Sequence, residues 1–269
     1  MQIDIDFGNC HVFVFGGTSG INYGIAEAFA RRSGYVSVAS RKRENVDAAV
    51  ATLARHRAQV RGMCADVRDF DAVGAAFDDA VSQFGPIDVL ISGAAGNFLC
   101  DARSMSANGF RAVVDIDLIG SFNVMRQAYP HLRKPGASIV NISAPQATVP
   151  MRYQAHAAAA KAGIDQLTRV LALEWGADGI RVNAISPGPI DGTEGFRKLI
   201  APTELASAEA AVPLRRFGST DDIANLALFL ASPYASYVSG AVIPCDGGGA
   251  IDSVKPALEH AGALTTSGT

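Results

Sequence analysis

The chain has 269 residues, 49% apolar and 18% charged, with a formal net charge of −3. That balance excludes a disordered chain, and the mild acidity leaves no basic footprint for nucleic acid. A chain of this length can bury a sizeable core, so residues 1–269 are read as one domain. His11–Phe15 is a short apolar run rich in β-branched and aromatic residues, which predicts a strand. Glycines follow. Ile21–Arg32 then has helical spacing, with Ile21, Ile25, Ala28 and Phe29 on one face. Tyr35–Ala39 predicts a second strand, Glu44–Arg55 a helix and Ala58–Cys64 a third strand. Phe70–Phe84 is helical and stops at Gly85-Pro86, a strong breaker. Ile87–Ile91 predicts a strand, Asn108–Arg133 a long helix and Ser138–Ile142 another strand. His156–Gly176 is Ala-rich and helical, and Arg181–Ile185 and Val238–Pro244 close the series as strands.

Short, continuously apolar strands alternating with helices imply an α/β fold. The expected architecture is a Rossmann-type doubly wound parallel sheet with helices on both faces. Residues 191–212 lack clear periodicity. An insertion there would lie over the carboxyl ends of the strands, where ligands bind, and is read as a substrate cover. Residues 252–269 are poor in core residues and read as a tail. No apolar run reaches the roughly 18 residues of a membrane span. Met1–Asp6 is unlike a signal peptide, and Ser267, Gly268 and Thr269 match no peroxisomal address. Cys10, Cys64, Cys100 and Cys245 lie far apart without a CxxC pair. They are read as reduced thiols of a cytoplasmic protein, and no metal site is expected.

Gly16-Gly17-Thr18-Ser19-Gly20-Ile21-Asn22-Tyr23-Gly24 joins the first strand to the first helix. Glycines there allow a tight turn and bring backbone N–H groups close to a pyrophosphate at the helix N-terminus. Gly16, Thr18, Ser19, Gly20 and Ile21 are the candidates. The second strand ends in Ala39-Ser40-Arg41-Lys42-Arg43, without the carboxylate that would hold ribose hydroxyls. Ser40 and Arg41 would instead pair with a 2′-phosphate, so NADPH is the cofactor expected. Asp66, in Cys64-Ala65-Asp66-Val67, could accept a hydrogen bond from the adenine amino group.

With these landmarks in order, the chain resembles a short-chain dehydrogenase/reductase over roughly residues 7–250. Further landmarks are Ser92-Gly93-Ala94-Ala95 where the family has Asn-Asn-Ala-Gly, Asn141-Ile142-Ser143, Lys161, and Arg181-Val182-Asn183 followed by Pro187-Gly188-Pro189-Ile190. The resemblance implies that Val67, Gly93, Ala94, Pro187, Gly188, Ile190 and Thr193 also line the dinucleotide. It implies that Lys161 contacts the nicotinamide ribose, and that the chain forms a homotetramer through its long helices. Asn22 replaces the family's last loop glycine. Asn tolerates unusual backbone angles better than most residues, so the loop is expected to survive.

The family's usual site is Asn, Ser, Tyr and Lys. Here Lys161 stands, but Ala157 occupies the Tyr position, Ala144 the Ser position and Asp117 the Asn position. Ala157 has no proton to give a carbonyl oxygen, so ordinary ketone–alcohol chemistry should fail. Tyr153, one helical turn earlier, is placed at or before the helix start. One branch lacks the Tyr in the same way, and this chain resembles it: the 2,4-dienoyl-CoA reductases, above all the peroxisomal type with its bacterial relatives. Asn97-Phe98, within Ala94-Ala95-Gly96-Asn97-Phe98-Leu99-Cys100, and Gly192-Thr193-Glu194-Gly195 carry that likeness most specifically.

What this second resemblance implies is NADPH-dependent reduction of a conjugated enoyl thioester. Hydride transfer would give a dienolate, and a proton would arrive through ordered water, with Asp117 and Asp246 involved. A buried Asp could hold a raised pKa and share a proton with water. Lys161 would orient the ribose and stabilise nearby negative charge. Asn97, Phe98 and Phe196 are candidates for lining the acyl pocket. Arg103, Arg197, Lys198, Arg215 and Arg216 are candidate partners of CoA phosphates. His156 recurs in the branch without an assigned role. Two other functions fit the same residues: an atypical reductase of another carbonyl, imine or conjugated substrate, and a non-catalytic nucleotide-binding scaffold. The expected partner is an acyl-thioester or other small molecule, with no nucleic acid and no membrane.

Overall fold

The computed structural model describes residues 5–32, 34–56, 58–193, 196 and 202–251. The expectations for Met1–Asp4, for Glu194, Gly195, Arg197 and Lys198, and for the tail 252–269 lie outside the described residues. The strands are β1 His11–Phe15, β2 Tyr35–Ser40, β3 Gln59–Cys64, β4 Val89–Ser92, β5 Ser138–Ile142, β6 Arg181–Pro187 and β7 Val242–Cys245. They form one sheet in the order β3-β2-β1-β4-β5-β6-β7, and every pairing is parallel. The chain leaves β1 toward one edge and returns at β4 toward the other. The carboxyl ends of β1 and β4 therefore flank the switch-point crevice of a doubly wound fold.

The helices are α1 Gly20–Ala30, α2 Arg43–Leu53, α3 Phe70–Phe84, α4 Ala107–Val114, α5 Gly120–Ala128, α6 Ala155–Trp175, α7 Leu205–Ala211 and α8 Thr220–Ala231. Side chains alternate across each strand. Val12 and Val14 of β1 join Ile25, Phe29, Leu53, Ile223 and Ala227 on one face, beneath α1, α2 and α8. Phe13 and Phe15 join Val73, Phe77, Met125 and Leu171 on the other, beneath α3, α5 and α6. The Phe13, Phe15 and Phe77 rings pack with centroids 4.6–5.4 Å apart.

The predicted bounds of β1, α3 and β5 coincide with the observed ones. β4 starts at Val89 rather than Ile87, because Ile87 makes only an isolated bridge to Leu132. The last strand starts at Val242 rather than Val238, because the Val238 carbonyl accepts from the Asn183 amide instead of joining a ladder. α8 was not singled out in the sequence. Its start carries a reciprocal capping box between Ser219 and Asp222.

The largest departure is in the expected helix Asn108–Arg133. It divides into α4, a π-helical turn Asp115–Ile119, α5 and a 3-10 turn Tyr129–His131. The Gly120 N–H reaches back to the Asp115 carbonyl, and the Asp117 carbonyl accepts from the Ser121 hydroxyl at 2.6 Å. Such wide turns recur at functional sites because they re-aim one side chain of an otherwise regular helix. Here the side chain at the turn is Asp117.

Candidate active site

At the carboxyl end of β1, Gly16 and Gly20 take positive φ values of 78° and 56°, a region open to glycine without strain. Ser19 precedes α1 in extended conformation and makes no capping bond with its side chain. The helix N-terminus therefore offers donors and positive dipole to an anion, the fit a pyrophosphate needs. Thr193 lies over this turn, 3.8 Å from where a Gly20 Cβ would be. Its hydroxyl donates to the Ile190 carbonyl at 2.8 Å, which folds the Pro187–Thr193 segment back on itself.

Ser40 ends β2 and Arg41 directly follows it, with its side chain exposed. Next to them, Asp66 is engaged by Arg68 through contacts of 2.6–3.2 Å. The Arg68 guanidinium holds the Asp66 carboxyl below the usual carboxylate range, and the charge of Arg41 adds to this. Arg68 was missed in the sequence. Its signal was its place two residues after the Asp, within reach of the same corner.

Lys161 and Asp117 meet by the carboxyl end of β5. Lys161 on α6 is 6% exposed and Asp117 1%. Their Nζ and Oδ2 atoms are 3.5 Å apart. Lys161 also donates to the Ile142 carbonyl at the end of β5, at 2.9 Å. Oδ1 of Asp117 accepts the Gly96 N–H at 2.7 Å, which ties the loop after β4 to the π turn. Burial raises the Asp117 carboxyl, against the opposing pull of Lys161, the Gly96 N–H and His156. Oδ2 is the oxygen that faces Lys161. Behind Lys161, Asp165 accepts from the Ser143 hydroxyl, and burial raises this carboxyl too. Asp165 was also missed; it lies one helical turn after Lys161 on the same buried face.

Ala157 is buried at 1% exposure, one turn before Lys161, so the Tyr position is filled by a methyl group. Tyr153 does not replace it. It is 51% exposed, lies outside α6 with φ of 66°, and its carbonyl accepts the Cys100 N–H. Asn97 donates to Gln154 at 2.7 Å. Phe98 is exposed, with its edge on the His156 ring at 4.4 Å between centroids. Both His156 ring nitrogens are buried without a hydrogen-bond partner among the described residues.

Asp246 is placed differently from Asp117. Its two carboxylate oxygens accept the Gly248 and Ala250 N–H groups at 2.9 and 2.7 Å, closing its own turn after β7. It abuts Gly188, where a Cβ would come within 2.6 Å of the Asp246 Cα. The Phe196 ring packs on Phe217 at 4.8 Å. Among the candidate phosphate partners, Arg103 pairs with Asp101 and Arg216 with Asp222, and Arg215 donates to the Ala210 carbonyl.

The site combines an anion-ready helix end, a basic corner, and a buried cation beside a buried carboxyl of raised pKa. At the position of the expected Tyr it offers only the Ala157 methyl group.

A family model described as enoyl-(acyl carrier protein) reductase matches residues 16–249. A Pongo abelii protein named peroxisomal 2,4-dienoyl-CoA reductase ((3E)-enoyl-CoA-producing) is 47% identical over 243 residues, covering 88% of this chain and 82% of its own. A Saccharomyces cerevisiae protein of the same description is 42% identical over 240 residues, with coverage of 88% and 82%. The crystal structure of a short chain dehydrogenase from Bacillus anthracis superposes with a TM-score of 0.81 at 34% identity, covering 90% of this chain and 97% of the other.

Proposed function

The chain belongs to the short-chain dehydrogenase/reductase family, and on that premise we propose that it is an NADPH-dependent reductase of 2,4-dienoyl thioesters. The observation that carries this reading is the buried Lys161–Asp117 pair set beside Ala157. A conjugated thioester accepts hydride at carbon, and the negative charge spreads along the chain to the thioester oxygen. What such a substrate needs from the protein is positive potential and a proton for carbon, not an acid on a ketone oxygen.

The reduced nicotinamide supplies the hydride when bound. Gly16 to Ile21 would hold the pyrophosphate, Ser40 and Arg41 the 2′-phosphate. Asp66 and Val67 would lie at the adenine. Gly93, Ala94 and Pro187 to Thr193 would enclose the nicotinamide end. Lys161 orients the ribose hydroxyls and supplies positive potential. Asp117, whose carboxyl is raised by burial, would relay a proton through water to the α-carbon, and Asp246 is the second carboxylate proposed for that route. Protonation there leaves a 3-enoyl product, the one named for the two relatives. Asn97, Phe98 and Phe196 would receive the acyl chain.

The same reading places a homotetramer in the cytoplasm. Exposed Phe110, Ile119, Phe122, Val170 and Leu173 on α4 to α6 support subunit contacts, and the four free cysteines fit a reducing compartment. No helix among the described residues is long and apolar enough to cross a membrane.

Incubation with C4-deuterated NADPH and a short 2,4-dienoyl-CoA tests the reaction. The expected product carries one deuterium and one solvent hydrogen, with its double bond at carbon 3. A product without deuterium, or with the bond at carbon 2, contradicts the proposal. Replacing Arg41 by Ala tests the cofactor. Loss of one charge-assisted contact weakens NADPH binding by about 10–100-fold and leaves NADH binding nearly unchanged. An equal loss for both dinucleotides removes Arg41 from the 2′-phosphate site.

A further inference from the structure

The expectation for Asn22 concerned backbone angle, and the structure poses a different problem. Asn22 lies in the first turn of α1 and is absent from the residues of positive φ. It is its side chain that matters. The residue is 8% exposed, and Nδ2 donates to the Gly93 carbonyl at 2.7 Å. Gly93 directly follows β4, and its own N–H donates to the Phe15 carbonyl at the end of β1. A Cβ placed on Gly93 would stand 2.2–2.5 Å from Oδ1, Nδ2 and Cγ of Asn22. Any side chain at position 93 would force this amide out of its place. A Cβ on Gly16 would likewise meet Nδ2 at 3.0 Å and the Ala94 nitrogen at 3.1 Å. The amide thus sits where the end of β1, the start of α1 and the end of β4 converge.

Two departures noted in the sequence, Asn for Gly at 22 and Gly for Asn at 93, therefore occupy one space. We infer that they are a single compensated exchange, in which Asn22 is a positioning residue that latches the phosphate-binding end of α1 to the strand end carrying Gly93 and Ala94. The amide fills the volume that a residue-93 side chain would take. It also gives the Gly93 carbonyl a donor. Its other atom, Oδ1, is buried without a partner among the described residues, so among them the Gly93 bond fixes its orientation. The latch joins the segment proposed for the pyrophosphate to the segment proposed for the nicotinamide ribose, and so rests on the cofactor reading above.

A double-substitution cycle tests the inference with two readouts, thermal melting of the protein without ligand and NADPH binding by fluorescence. Asn22→Gly is expected to weaken NADPH about tenfold and to lower Tm by about 2–4 °C. Gly93→Asn is expected to do at least as much, because the two amides collide. The double variant Asn22→Gly with Gly93→Asn is expected to recover most of both losses. Asn22→Asp keeps the volume but sets a carboxylate against the Gly93 carbonyl, so its Tm should fall as in Asn22→Gly. Losses that simply add in the double variant would overturn the exchange, as would an Asn22→Asp protein that melts like the parent. Failure of the parent to bind NADPH would contradict the cofactor reading and the latch's role in it, while the melting cycle would still judge the exchange itself.

Discussion

Replacing Lys161 by Ala lowers kcat/KM for the dienoyl thioester by on the order of 10²–10³-fold and weakens NADPH binding. Lys161 is a buried cation whose ammonium is held between the Ile142 carbonyl and Asp117. Removing it would take away both the donor proposed for the ribose and the positive potential proposed to face the charged intermediate. It also leaves Asp117 without its cationic neighbour. Breaking a buried pair in this way costs about 3–5 kcal/mol when the survivor must stay charged. Asp117 can instead take up a proton, since burial already raises its pKa, and this limits the loss of stability. Lys161→Met, which keeps most of the volume, separates loss of charge from cavity formation. Steady-state kinetics and an NADPH titration of both variants check the expectation. Near-normal activity in either would remove Lys161 from the mechanism.

Asp117→Asn is expected to lower kcat by on the order of 10²–10⁴-fold, the range for loss of a positioned proton donor, with much less effect on NADPH affinity. The amide oxygen can still accept the Gly96 N–H, so the loop after β4 should stay in place. The exchangeable proton is lost, and with it the pairing of Oδ2 with the Lys161 ammonium. The raised pKa fixes the direction of the pH dependence. The carboxyl keeps its proton above the ordinary range, so kcat of the parent falls as pH rises through that raised value. In Asp117→Asn this limb is absent. Stability follows the same sign. Between the unfolded and folded pKa the folded protein binds more proton, so folding weakens as pH rises across that window. The Asn variant should lack that contribution. Unchanged turnover would show that Asp117 serves only to hold Gly96 and the π turn.

The legible parts of the fold were those written in local spacing. β1 and β5 are uninterrupted apolar runs, and α3 carries a helical apolar face ended by Gly85-Pro86. The π turn was not legible, because one extra residue per turn leaves no periodic mark in a helix of mixed polarity. α8 could have been found from Ser219 and Asp222 ahead of Ile223, Ala224, Ala227 and Leu228. In the site, the glycine turn and Arg41 were legible from their places at strand ends, while Lys161, and Asp117 as the replacement for Asn, were named by the family resemblance. It could not show that Asp117 and Lys161 touch, since that contact depends on α6 and the π turn meeting over β5. Side-chain partnerships were the least legible. Asp66 with Arg68, Asn97 with Gln154, and Asn22 with Gly93 follow from packing between segments distant from one another or from rotamers that spacing does not specify.

The central claim is that a site lacking the Tyr acid reduces a conjugated thioester and not a ketone. Its most direct test mixes the pure protein with NADPH and either a short 2,4-dienoyl-CoA or a panel of simple ketones, and follows NADPH absorbance. The account predicts oxidation with the dienoyl thioester and none above background with the ketones. Oxidation with the ketones alone would contradict it, and so would NADPH binding without turnover of the dienoyl thioester.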